Sequence, residues 1–513
     1  MNPYLRRSAL CLALFPLVAF GQKPPATAEP AAAAAAAAAP KDDRIPEAVA
    51  LPPQKVDPQL FNRALQDFFI RDTRTSARKL FQFVSWTSST DENHAWAQYF
   101  LARSFADLGL WHASGYYLAR VARERSNPAV LPRALEELRT LVDRPHNEVM
   151  IDQQIFGTLD LGFLPESVSG FAHYQQGMLS LRVGNERWAQ THFAKLAEGS
   201  PEASLARFAL AVTRLREHQD NKQPPDAILA EFEQLADDEK LNLEARNEAR
   251  LAVARLRYER KEFALALEWY GKVKLPQLDP GRASLYLEEA WTRYHLGQLR
   301  AAMGILTALD SPGFRDEFLP DKYLLRSMVF RDLCHYLPAK RAAKELTRRF
   351  ADSLEAIRER ADLTADLRLR RAAESRGSTR KAARYLEQLK LEAERIGAYA
   401  GVFEAPLVSH LSRLYALEIA EATRLYELRV KESVRVEADK LLRGAEQVRL
   451  MDYEVGLKLY ERIKQGSRLV ALEADQPVGP AQVAFKFEGE YWNDELRSYR
   501  YAIQSRCIEE GAR

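Results

Sequence analysis

GMLSLRVGNERWAQTHFAKLAEGSP, residues 177–201, decides how the chain is read. Gly177 and Ala189 put small residues where two helices can approach most closely. Gly184 stands between them at the place of a turn, because glycine enters left-handed backbone without a steric penalty. Phe193 follows Ala189 by one helical turn and fills the space that the small residues leave. Pro201 then stops the second helix and resets the direction of the chain. The stretch therefore reads as two short helices packed side by side.

Less complete copies of the pattern extend outward on both sides. Leu101, Ala102, Phe105, Gly109, Trp111, Ser114 and Leu118 form one. Ala254, Phe263, Ala266 and Tyr270 form another. A third has Tyr286, Ala290, Gly297, Ala302 and Leu306, with Pro312 shortly after. Asp321–Phe350 is a degenerate pair with Ala342 and Ala343 at the small positions and Pro338 opening its second helix. Arg144–Ser167 departs from the pattern. Spacing and residue types resemble the tetratricopeptide-repeat family over roughly Gln59–Phe350. That resemblance implies an all-α solenoid of tandem helix pairs whose surface binds segments of other proteins.

Length agrees with an array. The chain has 513 residues, above the usual single-domain range, and repeats grow without enlarging one core. A hydrophobic fraction of 47% suffices for a folded body. Lys and Arg number 74 against 71 Asp and Glu, a net charge of +3. So balanced a chain gives no reason to expect nucleic acid as a partner.

Arg6 and Arg7 precede an apolar stretch from Ser8 to Phe20, and Ala19 and Gly21 are the small residues a signal peptidase reads. Residues 1–21 are thus expected to be a signal peptide, too short to cross a bilayer comfortably. Cys11 lacks the small residue expected just before a lipidated cysteine, so the mature form is expected without a lipid anchor. No later segment is long and apolar enough to span a membrane. Residues 22–58 form a linker with the alanine run Ala31–Ala39 among prolines. The expected location is the periplasm or the outer membrane. Two cysteines remain after cleavage, Cys334 and Cys507. They either pair or lie buried as inert thiols.

The array is expected over 59–352, a charged long-helix region over 353–465 and a cap or docking tail over 466–513. In the long helix, Leu407, Leu411 and Leu414 start an apolar stripe, Glu418 and Glu421 interrupt it, and Leu425 and Leu428 resume it. Val434, Ala438, Leu441, Ala445 and Val448 continue slightly out of register. This broken heptad packs against the same chain or, over 407–448, against a second copy. Gln482–Phe487 alternates like a short strand. Tyr491, Trp492, Tyr499 and Tyr501 then concentrate aromatics before Cys507. The run FEGEYWNDEL, 487–496, resembles helical-repeat proteins associated with gliding motility in Gram-negative envelopes. It implies a place in a multiprotein envelope machine and carries no site residues.

Chemistry is hard to find. There is no phosphate-binding glycine loop, no His-Glu-x-x-His metal motif and no nucleophile elbow. Nine histidines are scattered. His173 and His192 fall on the two helices of one pair, without further ligands at a fitting spacing. Acidic groups such as Glu217 with Asp220, or Asp237, Asp238 and Glu239, fall at helix ends. A basic cluster from Arg368 to Arg384 has acids beside it. No catalytic, cofactor or metal residue is assigned. The expected function is a non-enzymatic exported scaffold or adaptor for other envelope proteins. The alternative is a cell-wall-active enzyme or its regulator, which rests on location alone.

Overall fold

A computed structural model describes residues 57–158, 164, 166–217, 226–277, 279, 281–464, 489–492 and 495–507. The signal segment, all but the last two residues of the linker and the strand expected at Gln482–Phe487 lie outside these. The fold is all-α, built of successive packed helix pairs, with no strand among the described residues.

The helices are α1 Leu60–Phe69, α2 Thr73–Trp86, α3 His94–Asp107, α4 Trp111–Glu124, α5 Leu131–Leu141, the π-helical α6 Val149–Phe156, α7 Glu166–Arg182, α8 Glu186–Phe193, α9 Pro201–Glu217 and α10 Asp226–Asp237. They continue as α11 Leu243–Glu259, α12 Phe263–Lys272, α13 Gly281–His295, α14 Leu299–Ala308, α15 Asp321–Asp332, α16 Tyr336–Arg349, α17 Ala351–Arg358, α18 Leu367–Glu374 and α19 Gly377–Lys464. Single 3₁₀ turns lie at Leu363–Ala365 and Leu496–Ser498.

One turn recurs. Six pairs are joined through a residue in left-handed backbone, at Arg71, Gly109, Gly184, Lys261, Gly297 and Cys334. The next amide donates to the carbonyl five residues before it: Asn185 to Ser180 at 2.8 Å, Glu262 to Arg257 at 2.9 Å, His335 to Phe330 at 2.8 Å. These bonds satisfy carbonyls that the helix end would leave orphaned. Lys261, Gly297 and Cys334 follow one another at 36 and 37 residues. Only three of the six carry glycine, which is why half of the turns do not announce themselves in the sequence.

Within the pair that opened the reading, Ala189 is fully buried and the Phe193 ring lies on Gly177, where an added Cβ would fall 2.3 Å from Cε1. Pro201 acts differently from expectation. The second helix has already ended at Phe193, and Pro201 is the first residue of α9. There its missing N–H is one of the orphan donors anyway. Ala290 and Ala302 are fully buried, and Gly297 takes φ +72°.

Two compact units divide the described chain: the residues up to Ala209 with Arg380–Leu428, and Leu210–Thr379 with the residues from Arg429 on. α19 supplies residues to both. Its helix breaks at Glu404, which takes φ 61° and ψ 161° just before Pro406.

In the first unit, the stretches on either side of that break fold back on each other. Glu392 accepts from the Tyr415 hydroxyl at 2.6 Å, and Tyr385 donates to Glu418 at 2.8 Å. Leu407, Leu411 and Leu414 are buried in the core built by the early helices. In the other unit, Arg376 pairs with Glu437 at 2.6 Å and Thr379 meets Ser433 at 2.9 Å. Val434, Ala438, Leu441 and Val448 are buried there. These seam residues are therefore covered by this chain itself, whereas Leu425 and Ala445 are half-buried and Leu428 is 47% exposed. Glu418 interrupts the stripe because it has a polar task, accepting from Tyr385 and from Asn147 at 2.7 Å.

Candidate peptide-binding surface

The second unit holds an extended piece of its own chain against its helix pairs. Residues 495–507 run past α12, α13, α14 and α15 with only one 3₁₀ turn. Two apolar side chains anchor them, Leu496 and Ile503, each 3% exposed. The tail's aromatics are less buried: Trp492 is 42% exposed, and Tyr491, Tyr499 and Tyr501 are half-buried.

The main polar anchor is Arg497. Its Nε donates to Glu289 Oε2 at 2.9 Å, and Nη2 donates to Oε1 at 2.5 Å and to the Tyr270 carbonyl at 3.2 Å. The Glu289 side chain has no exposed surface, whereas Arg497 keeps 37%. Burial pushes the Glu289 carboxyl above its ordinary pKa, and the Arg497 guanidinium pulls it partly back. A planar guanidinium meeting both carboxylate oxygens is the strong, direction-specific form of such a pair.

The rest of the contact is main chain. Tyr501 N–H donates to the Arg300 carbonyl at 3.0 Å, and Arg506 N–H to the Leu333 carbonyl at 2.9 Å. Arg300 Nε donates to the Ile503 carbonyl at 3.1 Å, and His335 Nε2 to the Gln504 carbonyl at 2.7 Å. Arg462, near the end of α19, donates to the Arg506 carbonyl at 2.7 Å and to the Cys334 carbonyl at 3.2 Å. The Tyr499 carbonyl passes so close to α14 that a Cβ on Gly304 would lie 2.0 Å from its oxygen. A disulfide closes the far end, joining Cys334 to Cys507 with Cα atoms 5.1 Å apart.

The other sequence candidates sit elsewhere. His173 and His192 do meet, Nδ1 to Nδ1 at 3.3 Å. Burial and, for His173, the neighbouring His192, with Lys195 acting on both, hold their pKa values low, so one neutral ring donates and the other accepts. No group of three or more metal-binding side chains occurs among the described residues. Asp238 closes a turn by accepting from the Lys240 amide at 3.0 Å. Asp220 lies outside the described residues, as does the Glu217 side chain. In the basic cluster, Arg368 donates to the Arg349 carbonyl at 2.5 Å, Arg370 pairs with Glu374 at 3.2 Å, and Arg376 pairs with Glu437.

Sequence reasoning missed one polar network in the first unit. Leu110 gives α4 no side-chain cap. Glu392 supplies it from α19, accepting from His112 N–H at 2.9 Å, while the Tyr415 hydroxyl accepts from Ala113 N–H at 3.3 Å. A carboxylate at a helix N-terminus meets both the orphan donors and the positive end of the dipole. The only local signal was a hydrophobic residue at the cap position.

No protein-family model matches the chain, and no curated protein matches it. No helix among the described residues is long and apolar enough to cross a membrane.

Proposed function

We propose that this protein is a non-enzymatic scaffold or adaptor that binds other cell-envelope proteins through the surface of tetratricopeptide-like helix pairs. The observation that carries this reading is the extended segment 495–507, held by carbonyls, the Arg300 and His335 side chains and one buried carboxylate of those pairs. A helical surface that satisfies one extended backbone has the donors and acceptors to satisfy another. The signal-like N-terminus supports an exported protein, and the FEGEYWNDEL run supports a place in a gliding-motility machine. Crosslinking in the cells that make the protein, followed by affinity purification of the full chain, tests the reading. The expected outcome is recovery of one or more envelope proteins in near-equal amount. Recovery of the chain alone would overturn it.

A further inference from the structure

We propose that the surface around Glu289 recognises extended polypeptide segments that carry an arginine, and that residues 496–503 are a resident, tethered through Cys507, which such a segment displaces. This rests on the scaffold reading and names the partner's chemistry.

The receptor side is selective at one point and permissive elsewhere. Glu289 is buried with both oxygens directed at the guanidinium, and the Tyr270 carbonyl takes a third bond from it. Lysine offers a compact point charge and cannot make this fork. Apolar positions are read just before the arginine and six residues after it, at Leu496 and Ile503. Between and beyond them the contacts go to backbone atoms of Tyr499, Tyr501, Ile503, Gln504 and Arg506. Ser498, Arg500, Ala502, Gln504 and Ser505 point their surface to solvent. Many sequences of the form apolar-Arg-x₅-apolar would therefore satisfy the same partners.

The resident is also placed to leave. The bridge to Cys507 lies ten residues beyond Arg497, so the arginine end can lift while the disulfide stays closed. Arg497 keeps more than a third of its surface in water, so a competing guanidinium can approach. The covalent end keeps the resident at high effective concentration, which sets the threshold a partner must exceed.

The test is fluorescence anisotropy with a labelled peptide of residues 495–506 (ELRSYRYAIQSR) and the full-length chain. An Arg497→Ala chain, whose resident is weakened, is expected to bind the peptide about tenfold or more tighter than the unaltered chain. Adding Glu289→Gln to that chain is expected to remove at least about tenfold. A peptide with lysine in place of its first arginine is expected to bind about tenfold weaker. Ile503→Ala, which weakens the resident without touching the ion pair or the receptor surface, serves as the second receptor if Arg497→Ala loses its helical circular dichroism. Equal binding of the peptide and its lysine version would overturn the proposal, as would no saturable binding to either folded variant. Recovery of envelope partners without peptide binding would sink this inference and leave the scaffold reading standing. Peptide binding without partners would do the reverse.

Discussion

Gly304 lies directly beneath the Tyr499 carbonyl, at a separation no side chain could share. Alanine there raises two opposed effects. It favours α14 by about 1 kcal/mol over glycine. It also drives a methyl group into the resident segment. The expected outcome is a stable α14 with a lifted tail: hydrogen exchange at the Tyr501 amide accelerates toward the open-chain rate. Unchanged protection at Tyr501 would contradict the close approach.

Arg497→Ala leaves the Glu289 carboxylate buried and unpaired. Its pKa, already raised by burial, then rises further. A carboxyl with a raised folded pKa keeps its proton where the unfolded chain has released it. Its full contribution is present below the unfolded value of 4.5 and is lost as pH climbs through the folded one. The substitution should therefore destabilise by about 1–2 kcal/mol more at pH 7 than at pH 4, after allowance for the exposure of the guanidinium. Urea unfolding at the two pH values measures the difference, and adding Glu289→Gln should abolish it.

Lys261 occupies the same left-handed turn that Gly297 occupies one repeat later. A side chain with a Cβ is strained there and glycine is not. Lys261→Gly should raise stability by up to about 1 kcal/mol, whereas Gly297→Lys should lower it by a similar amount. The two denaturation midpoints should move in opposite directions. A loss in both would mean that the Lys261 side chain holds contacts worth more than its backbone strain.

His410, 1% exposed, sits 5.2 Å from the Phe81 ring with Nε2 3.0 Å from the Tyr117 hydroxyl. Burial first, then Arg120 and Arg413, bring its pKa down to about 4 from 6.5. The folded state keeps it neutral while the unfolded chain protonates. Its contribution is whole above pH 6.5 and is lost on acidification toward pH 4, about 3 kcal/mol in all. His410→Phe should flatten the fall in stability between those pH values, at a cost of about 1 kcal/mol at pH 7 for the Tyr117 partner. An unchanged slope would place the acid sensitivity on other histidines.

The legible parts of this fold are those set by local chemistry. Gly177, Gly184, Ala189 and Phe193 describe a helix pair because close approach, turn and filler each demand a residue type. Pro201 was misread because proline both ends and begins helices, and only the helix boundary at Phe193 decides between them. Arg71, Lys261 and Cys334 were invisible as turns because tertiary packing imposes on them a backbone that their types disfavour. The break at Glu404 is half legible, since Pro406 marks the start of the long helix while the reversal itself leaves no signal in residue type. Gly397 and Gly401 lie near it, yet both stay helical, and the break falls on the glutamate before Ala405-Pro406. The candidate site was the least legible, since Glu289 and Arg497 lie 208 residues apart and nothing local marks either.

The most direct measurement places a photo-crosslinking side chain at Gly271, an exposed position on α12 whose Cβ would lie 3.9 Å from Arg497 Nη2. The full-length protein is illuminated in the cells that make it, and the adducts are mapped by mass spectrometry. If the helix pairs bind other polypeptides, Gly271 should join to an extended segment of another envelope protein, more strongly when Arg497→Ala weakens the resident. Adducts to residues 495–507 of the same chain alone, with Arg497 present or replaced, would contradict a partner-binding surface.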